Sequence, residues 1–193
     1  YSSNGILSFF QTAGGAGYES GFGIVFDKNG NIYVAGAFNG TTSFGTPIFN
    51  GPISKTSAGE NDIFVAKFDP GVLDWTWVQS AGGASSEFSY GVAVDPSNNI
   101  YITGFFTGTA NFSGITKVSA GSDDIFVAKY NSRGNFQWVQ SAGGSMGDNG
   151  NGIAIDKNGY VYVAGGYSNL ATFGRTSRTT LGLHDAFIMK LDK

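Results

Sequence analysis

The sequence predicts an all-β fold made of a repeated antiparallel unit, and three observations predict it: a strand-former's composition, sparse charge, and internal repetition. The 193 residues include 13 Ile and 12 Val against 6 Leu, with 17 Phe and 9 Tyr. β-Branched and aromatic side chains suit a pleated, half-buried surface. Only 13% of residues are charged, far below what a helical domain rich in Glu and Lys carries.

Three phrases each recur three times. Phe9-Phe10-Gln11-Thr12-Ala13-Gly14-Gly15 returns as Trp77 to Gly83 and as Trp138 to Gly144. Asp27, followed by Gly30-Asn31-Ile32-Tyr33-Val34-Ala35-Gly36, returns from Asp95 to Gly104 and from Asp156 to Gly165. Asp62-Ile63-Phe64-Val65-Ala66-Lys67 returns from Asp124 to Lys129 and from Asp185 to Lys190. The period is 61 to 68 residues, with an insertion near residues 45–55.

Each unit reads as four strands. Strand a runs Gly23 to Asp27, Gly91 to Asp95 and Gly152 to Asp156. A turn opened by Asp, with Gly or Asn taking the positive φ, leads to strand b, Asn31 to Phe38 and its copies. A longer loop precedes strand c, Asp62 to Asp69, and a Pro-Gly or Arg-Gly turn precedes strand d, Leu73 to Ser80. Within Asp62 to Lys67 alternation puts Ile63 and Val65 on one face and Phe64 and Ala66 on the other. So close a spacing leaves no room for crossover helices, so the sheets are antiparallel. A four-stranded antiparallel unit recurring as a block is the sign of a β-propeller blade.

The expected architecture is therefore a propeller segment of three four-stranded blades. Residues 1–15 supply an N-terminal d strand (Ile6 to Thr12), 16–83 the first blade repeat, 84–144 the second, and 145–193 a third without its own d strand. Tyr1 to Gly5 aligns with Tyr130 to Gly134, and Leu191 to Lys193 with Tyr130 to Ser132. Three blades do not close a ring, since rings need about four to eight. The expected partners are the remaining blades of a longer chain, which the lack of an initiator Met favours, or a second copy forming a six-bladed dimer.

The succession D-x-x-G-N-[IV]-Y-[VI]-x-G, a Phe-containing loop, D-x-F-[VI]-x-K-x-[DN]-x-x-G, then an aromatic and Gly-Gly resembles the SBBP-type bacterial propeller repeat, a relative of NHL-like repeats. Asn98-Asn99 in the second copy and Met189 in the third depart from it. The resemblance implies a secreted or cell-surface bacterial protein and no particular reaction.

Other classes are disfavoured by composition. Net charge is −3 with no basic stripe, so no nucleic-acid partner is expected. No apolar run approaches the ~20 residues that span a bilayer. With no Cys there are no disulfides or thiolate sites, and His184 is the sole histidine, so neither a zinc cluster nor a catalytic triad is expected. The expectation is a non-enzymatic module without a cofactor.

Residues present in all three copies read first as blade mechanics. Asp27, Asp95 and Asp156 cap turns, and Phe44, Phe112 and Phe173 pin the b–c segment. Lys67, Lys129 and Lys190 lay their stems on the blade, and Lys55, Lys117 and Arg178 form an exposed basic column. Candidate ligand contacts are left to the d-to-a loops: Glu19, Glu87 and Asp148 hold one equivalent acidic position, beside Tyr18, Phe88 and Asn149. In a closed ring they are expected to form a circle of carboxylates at the propeller mouth, suited to a polyol or sugar ligand or a cation. The expected role is adhesion, or carbohydrate or protein binding, through these loops. A scaffold without a small ligand, or a lyase or hydrolase site elsewhere in the ring, are the alternatives.

Overall fold

A computed structural model describes residues 7–45 and 51–192, and its described residues form sixteen strands and no helix. The N-terminal segment contributes β1 (Ala13–Gly15), and the first repeat contains β2 (Glu19–Phe26), β3 (Ile32–Phe38), β4 (Thr41–Phe44), β5 (Ile53–Thr56), β6 (Asp62–Asp69) and β7 (Asp74–Gly83). The second has β8 (Glu87–Val94), β9 (Ile100–Phe112), β10 (Ile115–Tyr130) and β11 (Phe136–Gly144). The third has β12 (Asn149–Ile155), β13 (Val161–Tyr167), β14 (Leu170–Phe173), β15 (Thr176–Thr179) and β16 (Asp185–Leu191).

Pairing is antiparallel throughout, in the orders β2-β3-β6-β7, β8-β9-β10-β11 and β12-β13-β16. The sheets do not close on one another. Turn chemistry sets the first hairpin of each repeat. Gly30, Asn98 and Gly159 occupy the same turn position at φ of 83°, 61° and 84°. Asn, which tolerates left-handed backbone better than most residues, thus replaces Gly without changing the turn.

Three expectations need correction. The first strand begins at Glu19, Glu87 and Asn149 rather than at Gly23, Gly91 and Gly152. A β-bulge, with its register shift at Gly21/Gly23, Ser89/Gly91 and Gly150/Gly152, interrupts the alternation and hides the earlier part of the strand. The b–c segment is a paired hairpin rather than a loop: β4–β5, β14–β15, and in the second repeat the outer halves of β9 and β10. Leu7 to Thr12 form no strand, Ile6 lying outside the described residues. Their counterparts in β7 and β11 pair with β6 and β10, and among the described residues no such strand stands beside Leu7 to Thr12. Phe9 instead stacks on Phe68 at 5.2 Å, and Gln11 Nε2 donates to Leu73 O at 3.1 Å. The alignment of Tyr1 to Gly5, Lys193, and much of the insertion (46–50) also lie outside the described residues.

The Gly-Gly phrase ties repeats together. It ends β1, β7 and β11, and there each chain pairs with the hairpin of the following repeat. A Cβ on Gly15, Gly83 or Gly144 would lie 2.1, 1.9 or 1.9 Å from the carbonyl oxygen of Thr41, Thr109 or Leu170. Only glycine lets the two backbones approach so closely.

The core lies between repeats. Tyr33, Ile63 and Val65 of the first pack against Ile100, Ile102, Phe126 and Ala128 of the second. Tyr101 and Val127 of the second pack against Val161 and Val163 of the third. Phe44, Phe112 and Phe173 pin their hairpins by ring contacts to Phe64, Phe126 and Phe187 at 5.2, 5.3 and 4.9 Å. The first strands β2, β8 and β12 stand side by side.

Candidate functional site

The bulges decide what faces outward from the first strands. In Gly21-Phe22-Gly23 and Ser89-Tyr90-Gly91 the extra residue is left out of the ladder and its side chain is re-aimed. Phe22 and Tyr90 meet edge-on at 5.4 Å. Phe88 lies 6.0 Å from Phe22, 6.4 Å from Tyr18 and 5.4 Å from Phe105. Five aromatic rings from two neighbouring repeats thus form one cluster, with Tyr18 47% and Phe22 42% exposed. The corresponding bulge in the third repeat carries exposed Asn151, so the aromatic patch ends there.

Polar groups lie on neighbouring segments. Ser86 Oγ donates to Glu60 Oε2 at 2.7 Å and accepts from Asn61 Nδ2 at 3.2 Å. Thr107 Oγ1 donates to Asp123 Oδ1 at 2.6 Å. Burial, with Asp123 nearby, raises the Tyr90 hydroxyl above the ordinary phenol value.

The three equivalent acids do not form an open circle. Glu87 and Asp148 are fully buried and Glu19 is half-buried. The longer first strand explains this: each acid falls at or just before its start, and Glu87 and Asp148 turn into the junctions between repeats. The Gly83 N–H donates to Glu87 Oε2 at 2.9 Å, and the Gly144 N–H to Asp148 Oδ2 at 2.7 Å. Glu19 Oε1 accepts from Thr42 Oγ1 at 2.8 Å. Of the six expected residues, Tyr18 and Phe88 come together. Asn149 is half-buried at the start of β12, next to Asp148 in sequence. Phe22, Tyr90 and Phe105 were missed; the small residues flanking Phe22 and Tyr90 were the available signal.

The turn-capping reading holds. Asp27 Oδ1 accepts from the Asn29 and Asn31 N–H groups at 2.8 and 3.0 Å, and Asp95 and Asp156 repeat the pattern. Lys129 and Lys190 hold their ammonium groups over Tyr101 and Tyr160, 5.0 and 3.4 Å from the ring centres. The basic column falls on the hairpins, in β5, β10 and β15.

His184 Nδ1 lies 2.7 Å from Ser168 Oγ, which donates to Gly147 O at 2.9 Å. With the hydroxyl proton donated to Gly147 O, Nδ1 carries the hydrogen of the other contact; in the other tautomer the serine donates to Nδ1 instead.

The SBBP family, described as a β-propeller repeat, matches residues 9–41, 76–104 and 137–169. The chain carries three SBBP-type β-propeller repeats. An uncharacterized WD repeat-containing protein of Acanthamoeba polyphaga mimivirus is 33% identical over 135 residues, which is 62% of this chain and 10% of that protein. The regulatory protein FlaEY of Caulobacter vibrioides is 28% identical over 198 residues, 92% of this chain and 20% of that protein. The SBBP segment spans a tenth and a fifth of the length of these two relatives.

Proposed function

We propose that this segment is a non-enzymatic binding module of a secreted or cell-surface bacterial protein, with its SBBP repeats forming part of a propeller ring. The observation that carries this reading is the aromatic cluster of exposed Tyr18 and Phe22 with half-buried Phe88, Tyr90 and Phe105. Aromatic faces stack on the C–H face of a sugar ring or on apolar side chains of a protein, and flanking hydroxyls and carboxylates of the Ser86 and Asp123 kind orient such a ligand. The acid circle at the mouth gives way to this aromatic patch as the contact surface.

The ring is completed by further blades of the same polypeptide or by a second copy. Support comes from the two outer faces: the first repeat exposes Ile24 and Phe26, whose counterparts Val92 and Val94 pack half-buried into the first junction, and the third exposes Ile188, whose counterparts Val65 and Val127 are buried.

The test is a glycan array and calorimetric titration with surface polysaccharide fragments, using the chain and its Tyr18→Ala/Phe22→Ala variant. Binding reduced at least tenfold in a folded variant supports the reading. Equal binding by both removes the cluster from it. Retained self-association with no ligand bound favours a scaffold role.

A further inference from the structure

Four buried carboxyl groups at the junctions between repeats are not explained by the binding surface. Asp62 on β6 and Glu87 on β8 occupy the first junction; Asp124 on β10 and Asp148, just before β12, occupy the second. None is more than 5% exposed. They gather around the Gly-Gly corners. The Asp62 carboxyl carbon lies 2.3 Å from where a Gly82 Cβ would stand, beside the Gly83 N–H that donates to Glu87. Asp124 Oδ1 and Asp148 Oδ2 lie 2.5 and 3.0 Å from the corresponding point on Gly143.

Each junction contains one oxygen without a partner among the described residues: Glu87 Oε1 and Asp124 Oδ1 are buried and receive no hydrogen bond from them. The charged groups that bear on them do not relieve this: Asp62 and Glu60 face Glu87, while Asp148 and Asp123 face Asp124. His184 faces Asp148 from the edge of the second junction, and Asp123 faces it too. Two ionised carboxylates buried side by side are opposed by both desolvation and repulsion.

We propose that each junction holds one proton between its two carboxyl groups, and that its release loosens the contact between neighbouring repeats. The proton converts the unpartnered acceptor into an O–H donor, Glu87 Oε1 toward Asp62 and Asp124 Oδ1 toward Asp148. On release it passes to solvent base and leaves two like charges buried together. The open ends carry the two halves of such a pair, Asp185 on the third repeat and Glu19 on the first, and both are only half-buried.

Burial, supported by the neighbouring acids, pushes Glu87 up to about 8 and Asp124 up to about 6; burial likewise pushes Asp62 up to about 6. These folded values exceed the unfolded ones, so the folded state binds extra protons and stability falls as pH rises through this range. The device is a junction tight in mild acid and slack in mild alkali.

The test is the thermal midpoint of the chain between about pH 5 and about pH 9, with chelator or with added calcium, beside Glu87→Gln and Asp124→Asn. The chain should lose about 5 °C or more across this range, and the variants a clearly smaller amount. An unchanged slope in both variants would overturn the proposal. So would a slope abolished by calcium, because the pair would then hold a cation rather than a proton. If neither variant folds, carboxyl-carbon NMR of the unmodified chain decides: a Glu87 titration near 8 supports the shared proton, and one below about 5 overturns it.

Discussion

The Tyr33 hydroxyl donates to Asp27 Oδ2 at 3.1 Å, fastening β3 to the turn that precedes it. The pairs Tyr101–Asp95 and Tyr162–Asp156 repeat the contact at 3.2 and 3.3 Å. Burial opposes the charge on Asp27, yet hydrogen bonds from Asn31, Asn29 and Tyr33 hold its carboxyl below the ordinary value of 3.8. Burial and the same aspartate raise the Tyr33 phenol.

Removing the tyrosine hydroxyl and removing the carboxylate should therefore differ. Tyr33→Phe leaves the ring packed and Asp27 with its other donors, and should cost about 1 kcal/mol in a urea titration. Asp27→Ala strands several donors at once and should cost about 2–3 kcal/mol. Because the folded Asp27 value is depressed, its contribution is present above the ordinary 3.8 and is lost as pH falls through the folded value. The Asp27→Ala penalty should thus shrink toward the acid end. A penalty that stays constant down to the folded value would show that the carboxylate does not hold the turn.

The two kinds of glycine should respond differently to an added methyl group. Gly144 has backbone oxygen 1.9 Å from its would-be Cβ, so Gly144→Ala must push β14 away from β11. About 3 kcal/mol is expected, at the upper end of overpacking effects. Gly30 has open space around it and only a positive φ to satisfy, so Gly30→Ala should cost about 1–2 kcal/mol. Equal denaturation midpoints for the two variants would contradict the close-approach account of the Gly-Gly phrase.

Much of this was legible in the residues, and what was missed has a physical cause. The Asp-x-x-Gly turns and the alternation of Ile63, Phe64, Val65 and Ala66 state local geometry directly. The direction of Glu87 and Asp148 does not, because it depends on a bulge that shifts register by one residue and turns the next side chains to another face. Phe22, Tyr90 and Phe105 come from different strands of two repeats, and a cluster assembled across a junction leaves no spacing signal within either. The b–c hairpins escaped because Thr41 to Phe44 and Thr176 to Thr179 are too short and polar to stand out as strands.

Ser168 and His184 should behave as a structural contact. Ser168 is buried, supplies a proton to Gly147 O and donates its backbone N–H to Asp148 Oδ1 at 2.9 Å. Ser168→Ala should cost about 1–2 kcal/mol, and His184→Ala, on an exposed side chain, within about 0.5 kcal/mol. A fluorophosphonate should not label Ser168. Stoichiometric labelling abolished in His184→Ala would instead identify an activated nucleophile and reopen the enzymatic alternative.

The outer faces of the chain should be adhesive in a way that single polar substitutions reverse. Val65, Val127 and Ile188 hold the same position on the third main strand of their repeats. The first two are 1% exposed because a following repeat covers them, whereas Ile188 is 77% exposed. At the opposite end Ile24 and Phe26 are 72% and 75% exposed, while Val92 and Val94, their counterparts, pack into the first junction. Each uncovered side chain of this size forgoes about 1.5–3 kcal/mol of burial, enough to drive association when several lie on one face. Sedimentation equilibrium should show the chain self-associating, with Ile188→Asp and Phe26→Asp each lowering the average mass while leaving the denaturation midpoint nearly unchanged. If Ile188→Asp associates as strongly as the parent chain, another surface carries the contact, and ring completion through these faces is lost.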